Sequence, residues 1–384
     1  MKKPVWFALS LFACVLPTGL LAEETNLKFV SSKLEAKIYG YLKVDAIFDD
    51  SQIYPGNIAL FVKSPTTGSA NQFNLTANQT RLGLSIKGPA DLPPLVSGTI
   101  EMDFYGGGAE NMPNPRLYKG YVELKWPSFL ILAGQDWDTF SLLYPTCLNF
   151  GYLGTAGGLQ YRRPQLRAIK SFPISAGSKV SFAAAIAKTI PSSLGAAGTS
   201  REAGWPTLEG RLAYENKIFE NLPLTLAYSG HFGQERVRWN QAPGDINYAS
   251  WSMNGELLVP LGTRAYFKGE GFLGSNLDAY YGGILQGINA VTGHTIKAMG
   301  GWGELTFLST EKLTFHLGAG VDHPFRDNLN DGDRSQNLAV FGNVYYDFLS
   351  YLTLAFEYSH YRTFYKNGPH GDDNRFHTAM ILNF

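Results

Sequence analysis

The sequence predicts an all-β chain, sixteen antiparallel strands closed into a barrel that crosses a membrane. Three observations predict it. From residue 35 onward, segments of about ten residues alternate apolar and polar side chains, the period of a strand with two different faces. The connections between these segments are alternately short and long. The chain also combines 45% hydrophobic and 14% aromatic residues with only 17% charged ones, against about 25% charged in a typical soluble domain. Its 42 glycines, roughly 11% of the chain against a usual 7% or so, suit many strands and turns. Beyond the N-terminus there is no run of about 18 apolar residues, which excludes helical membrane spans.

Residues 1–22 have the order of a cleavable signal peptide: Lys2 and Lys3, an apolar stretch from Val5 to Leu16, then Pro17, Gly19 and the small residue Ala22 before Glu23 and Glu24. Cleavage before Cys14, as in a lipoprotein, fits less well, because the apolar region continues past it and Phe12 is bulky for that motif. Removal of residues 1–22 leaves 30 basic and 32 acidic residues, a formal charge of −2. Near-neutrality argues against a nucleic-acid partner. The exported part keeps one cysteine, Cys147, so no disulfide framework holds it together, and stability must come from a large closed architecture.

After a short extension over residues 23–34, the barrel occupies 35–384. Its strands are expected at 36–49, 74–87, 95–106, 117–126, 129–136, 159–171, 178–190, 207–217, 222–234, 246–259, 261–273, 295–308, 311–322, 336–349, 351–364 and 374–384. Short turns fall at 88–94, 126–129, 172–178, 219–223, 259–262, 309–312 and 348–352. Long polar loops fall at 50–73, 107–116, 137–158, 191–206, 235–245, 274–294, 323–335 and 365–373. Strict alternation of the two kinds puts every short connection at one end and every long one at the other, as in outer-membrane barrels and not in soluble sandwiches. Both termini then lie at the short-turn end, the periplasmic side.

The faces of single strands agree with lipid outside and water inside. In 351–364, Leu352, Leu354, Phe356 and Tyr358 share one side, and Thr353, Glu357 and Ser359 the other. In 311–322, Leu313, Phe315, Leu317, Ala319 and Val321 oppose Thr314, His316 and Asp322. Lipid cannot satisfy a free backbone N–H or C=O, so such strands cross a bilayer only in a closed barrel. Tyr345, Tyr346, Phe348, Tyr351, Phe364 and Tyr365 lie near strand ends, where aromatic girdles meet the membrane surface. The terminal strand NRFHTAMILNF, ending on Phe384, resembles the C-terminal recognition signal of bacterial outer-membrane proteins.

Two stretches carry a closer resemblance: GYLKVDAIFDD (40–50), and GQDWDTFSLLYPTCLNFG (134–151) followed by LQYRRPQLR (159–167). They look like the fifth strand, third loop and sixth strand, together with the first strand, of the DcaP-like outer-membrane porins. The resemblance covers residues 35–384 and implies a sixteen-stranded porin of a Gram-negative-type outer membrane, assembled as a homotrimer, with an inward-folding third loop and a preference for small dicarboxylates. One feature departs: residues 23–34 are too few for the coiled coil that members of the family can carry before the barrel.

A barrel of this strand number leaves an aqueous channel, so its selectivity depends on what narrows it. The third loop, 137–158, is long and aromatic, with Trp137, Phe140, Leu142, Leu143, Tyr144, Phe150 and Tyr152. Folding into the lumen would bury these side chains; an intersubunit latch is the alternative. Strand parity turns Arg81, Ser85 and Lys87 inward in the second strand, and Arg163, Gln165 and Arg167 in the sixth. The same rule places Lys43, Lys119, Lys125, Arg211, Arg264 and Lys268 inside, with the acids Asp45, Glu101, Asp103, Glu123, Glu209, Glu270 and Glu304. Arg162, Arg163 and Arg167 adjoin the third loop, facing its Asp136 and Asp138. An arginine fork pairs with carboxylates two hydrogen bonds at a time, so this cluster either selects anions with carboxylate ends or braces wall and loop together.

Other chemistry is thin. The seven histidines show no metal-ligand spacing, no GxSxG or P-loop occurs, and DNLNDGD (327–333) has Leu329 where a calcium ligand belongs. No cofactor and no metal is expected. The leading function is a non-enzymatic diffusion channel for small hydrophilic solutes, with small organic anions favoured. Its rivals are an adhesive or structural barrel with a blocked lumen and an outer-membrane hydrolase. The adjacent Ser359 and His360 of the last rival point to opposite faces of one strand.

Overall fold

The computed structural model describes residues 28–31, 34–67, 70–89, 93–109, 112–191, 194, 197–219, 222–240 and 244–384. The expected signal peptide lies outside these residues. Nineteen segments share one hydrogen-bonded sheet. Three of them, Lys28–Ser31, Gln72–Thr76 and Gly198–Glu202, extend or flank longer neighbours. The remaining sixteen are the staves of the barrel: β1 (Leu34–Asp49), β2 (Arg81–Lys87), β3 (Leu95–Asp103), β4 (Arg116–Lys125), β5 (Phe129–Trp137), β6 (Arg162–Pro173), β7 (Ser178–Ala187), β8 (Thr207–Phe219), β9 (Leu222–Trp239), β10 (Asp245–Pro260), β11 (Ala265–Ser275), β12 (Lys297–Leu308), β13 (Leu313–Pro324), β14 (Arg334–Leu349), β15 (Leu352–Tyr365) and β16 (Gly371–Asn383).

Each stave pairs antiparallel with the next, and β1 closes the ring by pairing with β16 from Tyr41↔Asn383 to Asp49↔Arg375. Closure leaves no edge to satisfy in lipid. At the short-turn end, Phe384 and Gly40 exchange backbone hydrogen bonds of 3.0 and 3.1 Å. Beside them, Lys28–Ser31 folds back and pairs with Leu34–Lys37, a hairpin the sequence did not announce.

The apolar and polar faces are inverted relative to a soluble protein. Outward side chains such as Leu166, Leu212 and Leu317 are 52%, 52% and 60% exposed, whereas the inward Asp45, Glu304 and Glu357 are each 0% exposed. Lipid in place of water over each outward Leu is worth about 1.5–3 kcal/mol. No described helix is long and apolar enough to cross a membrane; the crossing is made by strands.

Strand bounds shift at the long-loop end. Strand β9 runs to Trp239 and pairs with β10 as far as Arg238↔Asp245, so the loop expected at 235–245 is mostly strand. The second strand is broken at residues 77–80, where Thr80 N–H bonds to Ala77 O and Gln79 and Thr80 turn inward, buried.

Candidate channel constriction

Three loops, one of them expected, enter the lumen from the long-loop end. L3 (138–161) leaves β5 and returns to β6 through a neck closed by Asp138 N–H to Tyr161 O, 3.0 Å. L1 (50–71) carries a small hairpin, Ile53–Pro55 against Ala59–Val62. L6 (276–296) follows β11. Ile53, Ala59 and Val62 of L1 and Leu153 and Ala156 of L3 form one apolar core with the inward Trp302, Phe341 and Tyr361. Phe140 and Leu159 of L3 form another with Leu277 and Tyr280 of L6. Apolar residues at inward positions of β12 to β15 are thus a loop-docking surface and not a lapse in the two-face pattern.

L3 lies along the wall from β8 to β15 and is held there by carboxylates. Its backbone N–H groups donate to wall glutamates: Thr139 to Glu209 (2.7 Å), Leu142 to Glu256 (3.2 Å), Leu159 to Glu270 (3.2 Å), Thr146 to Glu304 (2.5 Å) and Leu148 to Glu357 (2.7 Å). The Ser141 hydroxyl also donates to Glu270. Charged acceptors on backbone N–H groups make strong hydrogen bonds, and an inward-folded loop without them would leave buried donors orphaned. Lys43 belongs to the same scaffold: its ammonium reaches Leu148 O at 3.1 Å, Gln79 Oε1 at 2.5 Å and Asp45 at 3.2 Å.

The arginines beside the loop divide into two groups. Arg163 is 1% exposed. It donates to Asp138 at 2.6 and 3.4 Å, to the Tyr280 hydroxyl at 3.1 Å and to Ala279 O at 3.3 Å. Arg167, 6% exposed, binds Gln165 Oε1 at 3.0 Å, Asp136 at 3.4 Å and Trp137 O. Arg163 braces wall and loop, whereas Arg167 ties β6 to the end of β5; solute has no access to Arg163. Arg211 is likewise spent, in two hydrogen bonds of 3.1 and 3.0 Å to Glu256. Arg264, expected inside the lumen, instead lies in the exposed turn between β10 and β11; the strands stop at Pro260 and restart at Ala265, so parity does not reach it.

The second group stands on the wall from β2 to β6, which L3 meets with side chains, the Phe150 ring lying 6.3 Å from that of Tyr118 and 5.6 Å from the Arg116 guanidinium. Arg81 of β2 lies 3.5 Å over the ring of Tyr118, and Arg162 of β6 lies 3.9 Å from the same centroid. Two guanidiniums that close cannot share a face, so the ring is held between them. Among the described residues, Nε and one Nη of Arg81 have no hydrogen-bond acceptor, and Glu101 is 3.9 Å away. Lys119 is 3.7 Å from Asp136, and Arg116 is paired with Asp103 at 2.7 and 3.0 Å. Tyr144 projects from L3 toward this wall, its hydroxyl in the field of Lys119, Tyr118, Arg81 and Asp136. It stacks on Trp137 with centroids 5.7 Å apart.

Tyr118 and Arg116 escaped the parity rule because β4 carries a bulge between Leu117 and Lys119. The extra residue turns Tyr118 inward, 1% exposed, and leaves Leu117 outside, 51% exposed. A conspicuous signal was present in the sequence, since unbroken alternation would have put Arg116 in lipid.

A closed sheet with an apolar outside, a polar lumen and an inward third loop defines a transmembrane barrel of porin architecture. No family model and no curated protein matches the sequence. Among solved structures, the chain is similar to the outer membrane channel DcaP of Acinetobacter baumannii, 16% identical over 93% of this chain and 99% of that one, with a TM-score of 0.75. It is also similar to OmpF of Salmonella typhi, 14% identical over 93% and 100% of the two chains, TM-score 0.63. An anion-selective porin from Comamonas acidovorans aligns at 11% identity over 91% and 100%, TM-score 0.59. At these identities the likeness is one of fold, and that fold is the one the DcaP-like segments implied.

Proposed function

We propose that the chain is an outer-membrane diffusion channel for small hydrophilic solutes that favours small organic anions, dicarboxylates among them. One observation carries this reading: the lumen acids and bases are not equally available. Glu209, Glu256, Glu270, Glu304 and Glu357 are all buried under L3 and already accept its N–H groups. On the wall from β2 to β6, the partly exposed Arg81, Arg116, Lys119 and Arg162 stand against Glu101, Asp103 and Asp136, an excess of one positive charge. A narrowing lowers the local dielectric, so that excess outweighs the near-neutral total charge. Of the expected cluster, Arg163 and Arg167 take the bracing role, and Arg162 keeps the selecting one with Arg81 and Lys119 beside it.

The anion selectivity of the Comamonas porin agrees in sign. A homotrimer is the proposed assembly; an outer membrane protein of Vibrio cholerae with the same fold is described in a trimer form. The adjacent Ser359 and His360 give the hydrolase alternative no support, since Ser359 is buried toward the lumen, 1% exposed, and His360 lies on the outer face.

The test is single-channel recording in a planar bilayer under a salt gradient. Current with a reversal potential on the anion side is expected. A barrel that inserts and carries no current would support the blocked-lumen alternative, and a cation-side potential would defeat the anion reading.

A further inference from the structure

Above the constriction, at the long-loop end, a pocket of about 400 Å³ opens among L1, L3, L6 and the start of β6. This is within the range of ~300–1,000 Å³ typical of small-solute sites. Its walls are rings: Tyr54, Trp137, Tyr152, Tyr161 and Tyr281, with Tyr161 and Tyr281 centroids 5.6 Å apart. Among the described residues, Arg162 is the only basic one on the lining and Asp278, which has an interaction of its own, the only acid.

The way Arg162 is held decides what it can still do. Tyr118 and Trp137 lie 3.9 and 4.7 Å from its guanidinium carbon, contacts to rings and not to an acceptor oxygen. Its N–H donors therefore remain for a carboxylate, which a guanidinium engages with two hydrogen bonds. Arg162 is in no ion pair among the described residues. A second polar anchor is Gln160, 6% exposed. Its amide N–H donates to Tyr152 O at 3.2 Å, which fixes the amide orientation, and its Oε1 is buried with no partner among the described residues. That atom can accept one hydrogen bond from a solute hydroxyl.

We propose that this pocket is a capture site for aromatic carboxylates, hydroxylated ones above all: the ring lies among the tyrosines, the carboxylate meets the N–H donors of Arg162, and the hydroxyl donates to Gln160 Oε1. A short aliphatic diacid would use the arginine and leave the rings unmatched. The inference rests on the anion-channel reading and adds to it the kind of anion that is concentrated at the mouth.

The experiment uses the full barrel and three probes, 4-hydroxybenzoate, benzoate and cyclohexanecarboxylate. Each is titrated calorimetrically into the detergent-solubilised protein, and each is added to the long-loop side of single channels, where binding reads as current interruption. Benzoate should bind about tenfold more tightly than its saturated counterpart, the scale of one good ring stacking, and 4-hydroxybenzoate more tightly still. Arg162→Gln should weaken all three by about tenfold or more. Tyr281→Ala should narrow the gap between benzoate and cyclohexanecarboxylate, and Tyr281→Phe should restore it. Gln160→Leu should abolish only the advantage of the hydroxyl.

Equal affinities of the wild-type barrel for benzoate and cyclohexanecarboxylate would overturn the proposal without recourse to any variant. So would an Arg162→Gln barrel that binds benzoate as tightly as the wild type. A barrel that conducts anions but does not distinguish the ring defeats the capture site alone. One that carries no current, or prefers cations, defeats the channel reading, while calorimetry still decides the pocket.

Discussion

Arg163 on β6 and Asp138 at the start of L3 form a buried pair, each with its side chain 1% exposed, joined at 2.6 and 3.4 Å. The pair fixes the point at which L3 leaves the wall, and its arginine turns away from the solute path. Removing one member strands a charge in the interior, which costs about 3–5 kcal/mol. Arg163→Ala should therefore lower the unfolding free energy of the barrel by that much, read as a lower denaturant midpoint. The reversal potential of channels that still form should stay where it was; a changed ion preference at unchanged stability would restore Arg163 to a role in selection.

Arg81→Ala should do the reverse. A unit charge about 4 Å from a passing ion is worth ~1 kcal/mol in a water-like dielectric, in favour of an anion and against a cation, so the anion-to-cation permeability ratio should fall by up to about thirtyfold with little loss of stability. Arg81→Lys keeps the charge and should keep the sign of the potential. Reversal potentials of the two variants, measured side by side, give the answer, and equal values for Ala and Arg at this position would remove it from the constriction.

The glutamates under L3 invite a third measurement. Glu357→Ala deprives Leu148 N–H and the Asn343 amide of their common acceptor, at 2.7 and 3.0 Å. A charged hydrogen bond lost in a buried place costs about 1.5–3 kcal/mol. The expected readout is greater open-channel noise as the middle of L3 loosens. Quiet channels of wild-type conductance would mean that the other four glutamates suffice to hold the loop.

Gly320 on β13 tests the same docking by steric means. A Cβ there would stand 2.0 Å from Ala156 O of L3, so the loop reaches the wall only because that side chain is missing. Gly320→Leu should push the Ala156 segment into the lumen or off its seat, changing single-channel conductance while far-UV circular dichroism stays that of a barrel. Unaltered conductance would place Ala156 away from the permeation path.

Strand count, order and facing were legible because they rest on local periodicity: a period of two, repeated between turns, needs no knowledge of distant contacts. The position of L3 was legible for a similar reason, since Phe140, Leu142 and Phe150 made it too apolar for water. What pairs with what across the lumen was not. Arg163 and Arg81 look alike in the sequence, both inward by parity, and only the neighbours separate them, Asp138 and Tyr280 for one and Tyr118 for the other. L1 and L6 were missed because Ile53, Val62, Leu277 and Ile284 are sparse among polar residues and find their apolar partners only in three dimensions. The bulge at Leu117 and Lys119 defeated parity at the place that mattered most.

The spacing of the L3 anchors along the chain also bears on how the molecule reaches its final state. Thr139, Leu142, Thr146 and Leu148 find their carboxylates 70, 114, 158 and 209 residues later in the sequence. Contacts so remote form late, because the loop entropy lost in making them is recovered only when much else is already ordered. Glu357 reaches its place only when β15 does, and β15 is positioned between β14 and the final strand. The last clasp on the loop is consequently a property of the finished ring: a barrel halted before its last hairpin would lack the Glu357 anchor, and the middle of L3 around Leu148 would stay loose and open to proteolysis.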